Sequence, residues 1–187
     1  MSDLASVPTG TWVVAIVAVV VVVGAGGYFG WKWAWFRVSR RYLVTLIGRR
    51  ESVRAALKSL DEVVRHLAGT SDATLEEFAT DEHSLDRKAF QEVAQRAAVL
   101  ADELYTMPLP KGLWPAGEAL GDAATAISEE AGRVKEDMSP GDALAALGKV
   151  DLGRALVDTE AADMIVNQAC EHYDVEEASV YGGGLYI

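Results

Sequence analysis

Residues 4–31 contain no charged side chain, and residues 11–31 consist almost entirely of Val, Ala, Ile, Gly and aromatic residues. A helix of about 21 residues, at roughly 1.5 Å per residue, is about 32 Å long and can cross a hydrocarbon core of about 30 Å. Because lipid offers backbone amides no other hydrogen-bond partner, even the valine run at residues 19–23 should be helical there. The sequence therefore predicts a transmembrane helix at residues 11–31, after a short leader at residues 1–10.

Aromatic residues flank this segment at both ends. Tryptophan and tyrosine rings are amphipathic and settle at the depth of the lipid headgroups. The segment begins with a tryptophan and ends with a cluster of aromatic residues, which is the pattern expected of two membrane interfaces. The predicted membrane-anchor residues are Trp12, Val19, Val23, Tyr28 and Trp31.

Basic residues follow the apolar segment, whereas the leader carries only Asp3. Since lysine and arginine accumulate on the cytoplasmic side of a span, we expect a single-pass cell-membrane protein with its N-terminus outside and its C-terminal domain in the cytoplasm. A cleaved signal peptide is the competing interpretation, because small residues occupy positions 24–26. The leader lacks a basic n-region, however, and the apolar stretch is long for a signal peptide.

Two further features of this region have possible roles beyond anchoring. Lys32, Arg37, Arg40 and Arg41 are predicted to contact anionic lipid headgroups, although they also suffice as simple topology determinants. Gly26 and Gly30 have the four-residue spacing that lets transmembrane helices approach closely, so we predict helix association there. An incidental glycine-rich patch is the alternative.

Charge is unevenly distributed along the chain. Residues 1–58 carry eight Lys or Arg and two acids, a net charge of +6, so the remainder carries −17 to reach the total of −11. An acidic body is repelled by phosphate backbones, which argues against a nucleic-acid partner. We therefore separate a basic juxtamembrane helix at residues 32–58 from an acidic domain at residues 59–174.

Beyond residue 42, apolar residues recur every three or four positions, the spacing of amphipathic helices. Turn and capping residues such as Gly69, Pro108 and Asp151 divide this pattern. The predicted helices are 43–67, a short helix carrying Leu75 and Phe78, 84–105, 116–138, a short helix at 140–147, and 152–173.

The predicted fold is all-α, with one N-terminal transmembrane helix that continues into a cytoplasmic antiparallel helical bundle. We expect Trp114 to pack under the bundle, and Leu156, Met164 and Ile165 to point inward from the last helix. Residues 175–187, which include three consecutive glycines, are expected to form a flexible tail.

This organisation, an anchor followed by a helical bundle, resembles that of bacterial proteins of the LemA type. The resemblance rests on that order and on the amphipathic stretch at residues 43–67 with its Arg49-Arg50 pair. No motif matches residue by residue, so membership of that family is not inferred.

The sequence contains none of the motifs of phosphate loops, dinucleotide-binding turns, serine nucleophile elbows or zinc proteases. Cys170 is the only cysteine, and no two histidines have the helical spacing of a metal-ligand pair. We therefore predict no catalytic residue, no metal site and no cofactor. The alternative is a membrane-surface enzyme or metal-binding sensor that uses His83, His172 and nearby carboxylates.

The favoured functional hypothesis is a membrane-anchored interaction or scaffold module. Its expected partners are the lipid bilayer and either another protein or a second copy of the chain, with no nucleic acid. The hypothesis depends on the anchor, on helices that are lean in apolar residues and on the lack of catalytic groups.

Overall fold

A computed structural model describes the backbone of residues 9–81, 83–135 and 137–176, and the side chains within these ranges from residue 20 onward except Ala25. Every regular element in these ranges is helical, which confirms the predicted all-α fold. The elements are α1 (Thr9–Ala68), α2 (Asp72–Thr80), α3 (Leu85–Thr106), a 3-10 turn (Lys111–Leu113), α4 (Trp114–Ala131), α5 (Pro140–Leu147) and α6 (Leu152–Tyr173).

The chain divides after Val38 into two compact units. The first contains the beginning of α1, and most of the predicted leader lies outside the described residues. The second contains the rest of α1 and all later helices, while residues 177–187 of the predicted tail lie outside the described part. The domain limits drawn from the sequence remain predictions.

Side-chain contacts show that α1 runs antiparallel to α6. Arg40 Nη2 donates to the carbonyl oxygen of Asp174 at 2.5 Å, and Arg54 Nη2 lies 2.7 Å from Asp163 Oδ2. Residue numbers thus rise along α1 as they fall along α6. Helix α3 also runs antiparallel to α1: Arg49 pairs with the late α3 residue Glu103 at 2.9 Å, and His66 near the end of α1 lines a groove with Asp86 at the start of α3.

Helix α4 completes the bundle by packing on both α3 and α6. Ser128 Oγ donates to the carbonyl oxygen of Ala94 at 2.9 Å, which pairs the end of α4 with the first half of α3. The side chains of Tyr105 and Asp122 are joined by a 2.5 Å hydrogen bond, which pairs the end of α3 with the middle of α4. The four long helices therefore form an antiparallel bundle, which confirms the predicted helical bundle.

The bundle has two different ends. The Ser39 end, where the chain begins the second unit, contains residues 39–42, the connector at residues 107–113 and the C-terminus of α6. The opposite end contains α2 and α5, which contact each other; we call it the α2–α5 end. Side-chain caps fix where α5 and α6 begin at this end. Ser139 Oγ accepts a hydrogen bond from the Asp142 amide, and the Asp151 side chain accepts one from the Arg154 amide.

Most of the apolar stripe of α1 is buried, as the three-and-four spacing predicts, whereas Leu57 and Val64 are only half-buried. Helix α4 also buries its expected face, but it ends at Ala131 rather than at residue 138. After Gly132 the bonding changes, since the amides of Arg133 and Val134 donate to carbonyls only three residues back, and the Arg133 side chain folds back onto Glu130. The buried stripe of α1 comprises Leu43, Leu46, Ile47, Val53, Leu60 and Leu67.

Three predictions about individual side chains are wrong. Trp114 does not pack under the bundle: it is 55% exposed, because it begins α4 and its Nε1 donates to the Leu109 carbonyl. Leu156 and Met164 are also exposed, and Ile165 is only half-buried. Helix α6 turns a face of small residues inward instead, which lets it approach the alanine-rich α4 closely.

Glu130 is a fully buried carboxylate at the junction of α4 and α6. Arg133 holds both carboxylate oxygens, at 2.6 and 2.8 Å, and the Asp151 amide donates to one of them at 2.8 Å. The hydrogen bonds from Arg133 lower the pKa of Glu130, and the Asp151 amide adds to that effect. The charged form of Glu130 therefore ties the end of α4 to the start of α6.

This arrangement predicts how stability depends on pH. Because the pKa of Glu130 is lower in the folded chain than the unfolded value of about 4.3, its stabilisation is complete above that value. The stabilisation is lost as the pH falls through the folded value. We expect Glu130→Gln to lower the free energy of unfolding at pH 7 by about 1–3 kcal/mol and to weaken the loss of stability in acid. Chemical denaturation followed by circular dichroism at several pH values measures both effects.

Glu76→Gln, which changes an exposed carboxylate on α2, is the control and should leave the profile unchanged. An unaltered acid dependence in Glu130→Gln would contradict the assignment.

Candidate functional site

The first unit presents a continuous exposed apolar surface. Val20–Val23 are 62–70% exposed, and Tyr28, Phe29 and Trp31 are exposed to a similar degree. A side-chain carbon added at any of the neighbouring glycines of this unit, including Gly26 and Gly30, would meet no other atom within 4 Å. Soluble monomers rarely expose apolar surface on this scale, which makes it the candidate functional surface of the first unit.

Aromatic rings and a basic residue are arranged together at the C-terminal side of this surface. Trp31 and Trp35 stack with their ring centroids 6.1 Å apart. The Arg37 guanidinium lies 4.1 Å from the centroid of the Trp33 ring, within the range of a cation–π interaction. Arg37, predicted to contact headgroups, is thus held beside an aromatic ring and stays exposed together with Lys32.

Within the part of the chain whose side chains are described, we find no helix with a stretch both long and apolar enough to cross a bilayer. The side chains of residues 11–19, including the predicted anchor residues Trp12 and Val19, lie outside that part.

The predicted headgroup residues in the second unit have different environments. Arg40 donates to the carbonyl oxygen of Asp174, the residue that ends α6 in the left-handed conformation with φ of 52°. An arginine at this position satisfies a carbonyl at the helix end and opposes the negative end of the helix dipole. Arg41 is exposed. Arg40 therefore has a structural role that the sequence did not indicate.

A cluster of charged and polar side chains joins α1 to α6, and we call it the α1–α6 cluster: Arg50, Arg54, Asp163 and Asn167. Arg50 is only 1% exposed and donates to Asn167 Oδ1 at 2.9 Å, with its Nε 3.8 Å from Asp163 Oδ1. Arg54 donates to Asp163 Oδ2 through two nitrogens, at 3.0 and 2.7 Å. This hydrogen bonding to Asp163 raises the pKa of Arg54.

Sequence reasoning missed this cluster because it treated Arg49 and Arg50 as one basic flank. The signal was present: Arg50 stands three residues from both Ile47 and Val53, on the buried stripe of α1. A charged residue at a stripe position needs a polar partner on the facing helix, and half-buried Asp163 together with Asn167 supplies it.

The cluster should contribute to stability through Asp163. Removing its charge leaves two arginines facing an amide, one of them buried, so we expect Asp163→Asn to lower the free energy of unfolding by about 2 kcal/mol or more. Glu62→Gln, which removes the exposed partner of Lys58, should change it by less than about 0.5 kcal/mol. Urea denaturation of the two variants in the same detergent makes the comparison, and equal effects would contradict the role of the cluster.

The structure does not bring the two histidines of the alternative hypothesis together. His83 is exposed at the α2–α5 end, where its backbone amide donates to Asp81 Oδ1 at 2.8 Å. His172 is exposed in the last turn of α6, at the Ser39 end, with its ring against Tyr173. Among the described residues, no group of three or more possible metal ligands is found, and Glu82 lies outside them.

Two open grooves flank α1 in the second unit. The α1–α3 groove has a volume of about 520 Å³ and is lined by small α1 side chains and by exposed Val99. The α1–α6 groove, of about 530 Å³, is lined by Leu57 and Leu156 with charged rims. Both are shallow surface features, and their shape suits a helix or chain segment more than a small molecule.

Comparison with known protein families, curated protein sequences and solved structures finds no match to this chain.

Proposed function

We propose that this protein is a single-pass membrane-anchored helical module that mediates protein interaction at the cytoplasmic membrane surface. The observation that carries the proposal is the exposed apolar surface of the first unit, Val20–Val23 with the aromatic residues after it. Exposed valines are costly in water and favourable in hydrocarbon. The uncharged sequence at residues 11–31 gives this surface the length of a span.

The basic residues that follow the span support the proposed orientation. Lys32, Arg37 and Arg41 are exposed, and lysine and arginine next to a span favour the cytoplasmic side. The anionic headgroups of that leaflet would attract them at about 1 kcal/mol each.

The proposed interaction role rests on the surface of the bundle. Val157 and Met164, both 62% exposed, are seven residues apart on α6 and therefore share one face, with Leu156 at its edge. Exposed Glu160 lies between them on the same face. Such an amphipathic face suits a partner helix, and a second copy of the chain held in the same membrane is the simplest occupant. The module has no catalytic role and no cofactor in this proposal.

The alternative function as an enzyme or metal sensor has less support. It requires His83 and His172 to work with nearby carboxylates, and these histidines belong to opposite ends of the bundle.

Membrane anchoring is tested with charges inside the proposed span. Each aspartate at the centre of a transmembrane helix costs about 2.5–3.5 kcal/mol on insertion scales, so Val21→Asp/Val22→Asp should release the full-length protein from membranes. Wild type should stay in the membrane fraction after an alkaline wash, and the double variant should move to the supernatant. Val99→Asp, at an exposed position of α3, is the matched control and should remain in membranes. Wild type in the supernatant would refute the anchor.

Self-association is tested on the α6 face. We expect wild-type protein in nanodiscs or mild detergent to form dimers or larger assemblies, and Val157→Glu/Met164→Glu to shift it to monomers. Leu85→Glu changes an exposed leucine at the α2–α5 end and should leave assembly unchanged. Crosslinking and mass photometry read the result. A wild-type protein that is monomeric in both settings, with no co-purifying protein, would contradict the interaction role.

A further inference from the structure

A small depression lies where the end of α3, the connector and the first turns of α4 meet. Its volume is about 250 Å³, and it is lined by Leu104, Tyr105, Met107, Leu109, Trp114 and Glu118. We propose that this depression, which we call the aromatic pocket, binds an alkylated ammonium group of the choline type. The inference uses contacts within the second unit alone and does not depend on the membrane anchor.

Trp114 forms one side of the aromatic pocket and is held in place by the connector. Its Nε1 donates to the Leu109 carbonyl oxygen at 2.8 Å, although the residue is 55% exposed. Leu109 is half-buried and lies against Gly117, where an added side-chain carbon would overlap the leucine. The polar atom of the indole is therefore satisfied within the protein, and the surface that Trp114 offers to a ligand is the π-system of its ring.

Tyr105 forms another side of the aromatic pocket and is also held in place. Its hydroxyl donates to Asp122 Oδ1 at 2.5 Å, and the residue is 52% exposed. The ring lies against Gly121, since an added side-chain carbon there would be 2.8 Å from it. Because both aromatic side chains are already ordered, binding a ligand between them costs little additional side-chain entropy.

The charged side chain that lines the aromatic pocket is acidic. Glu118 is exposed, and within the described part of the chain its carboxylate makes no ion pair or hydrogen bond. The pKa of Tyr105 is raised mainly by partial desolvation and next by the hydrogen bond to Asp122, and the negative charge of Glu118 adds to the effect. Glu118 therefore acts on the space beside the phenol and favours a positively charged ligand there.

These groups together select the chemistry of the ligand. Aromatic rings attract cations electrostatically, and proteins recognise quaternary ammonium groups in this way. A primary ammonium or a guanidinium carries N–H donors that need acceptors, whereas a quaternary ammonium has none and needs only the rings and a nearby negative charge. The volume lies below the roughly 300–1,000 Å³ of pockets for drug-sized ligands, so the aromatic pocket suits a single small group.

The charges around the aromatic pocket agree with a cationic ligand. Residues 59–187 carry a net charge of −17, and exposed Asp102 lies one helical turn before Tyr105. Lys111 is the nearest basic residue along the chain, but it is exposed and does not line the pocket. The C-terminal end of the α3 dipole and the N-terminal end of the α4 dipole meet here with opposite signs and offset each other. The acidic surroundings therefore raise the local concentration of cations.

The test uses the full-length protein with fluorinated tryptophan, in a maltoside detergent that carries no choline group. Fluorine NMR then reports on the tryptophans separately, and the signal that disappears in Trp114→Phe belongs to Trp114. The protein is titrated with choline chloride, with sodium chloride at matched ionic strength, and with the neutral analogue in which a tert-butyl group replaces the trimethylammonium group.

We expect choline to shift the Trp114 signal saturably, with an apparent Kd in the millimolar range, and to leave the other tryptophan signals unchanged. Tyr105→Leu removes one ring and Glu118→Gln removes the charge, so each should weaken binding about three- to tenfold. Tyr105→Phe keeps the ring and should bind within about twofold of wild type. Glu76→Gln, which changes an exposed carboxylate on α2, is the matched control and should have no effect. Circular dichroism checks that each variant remains helical.

The source of the cation is distinguished in nanodiscs without free choline. A Trp114 signal that moves when phosphatidylcholine replaces phosphatidylglycerol would assign the aromatic pocket to a lipid headgroup, and a response to free choline alone would assign it to a soluble compound. Equal shifts with sodium chloride or with the neutral analogue would overturn the inference, as would unaltered binding in both Tyr105→Leu and Glu118→Gln. Because the titration is made in detergent, its failure would leave the proposed anchor and interaction role untouched.

Discussion

The second unit depends on the burial of one face of α1 between α3 and α6. Each fully buried leucine contributes about 1.5–3 kcal/mol, and four leucines of this face are at most 1% exposed: Leu43, Leu46, Leu60 and Leu67. Arg50 and Arg54 then fix the register, because only one rotation of α1 presents both to Asp163 and Asn167. A shift by one residue turns the helix about 100°, which would bury exposed charges and expose the stripe.

Small residues on α4 make the rest of the packing possible. Its buried face is largely alanine and glycine, so α3 and α6 approach it closely. At Gly121 an added side-chain carbon would lie 2.8 Å from the Tyr105 ring. Partial desolvation, together with the hydrogen bond to Asp122, raises the pKa of half-exposed Tyr105, so the phenol stays protonated and donates. The same small residues therefore hold the end of α3 and the connector in place.

The sequence predicted most helix limits to within a few residues, because capping signals are local: Asp151 begins α6 where the pattern places it. The predictions were wrong where an apolar side chain was assumed to point inward or a charged one outward. Met164 and Trp114 are apolar yet exposed, while Arg50, Arg87 and Glu130 are charged yet buried. Arg87 binds the carbonyl oxygens of Phe78 and Ala79 at the end of α2. The partners of these charged residues come from distant segments of the chain. A buried face predicted from apolar residues alone therefore leaves them out.

The two ends of the bundle carry different side chains. Its aromatic connector and Arg40 lie at the Ser39 end, and the exposed carboxylates of α2 lie at the other. The grooves beside α1 and the exposed face of α6 run along the bundle axis, so a partner approaches them from the side. Under the proposed function, a second copy anchored in the same membrane is confined with the first, and this confinement raises the effective concentration for association.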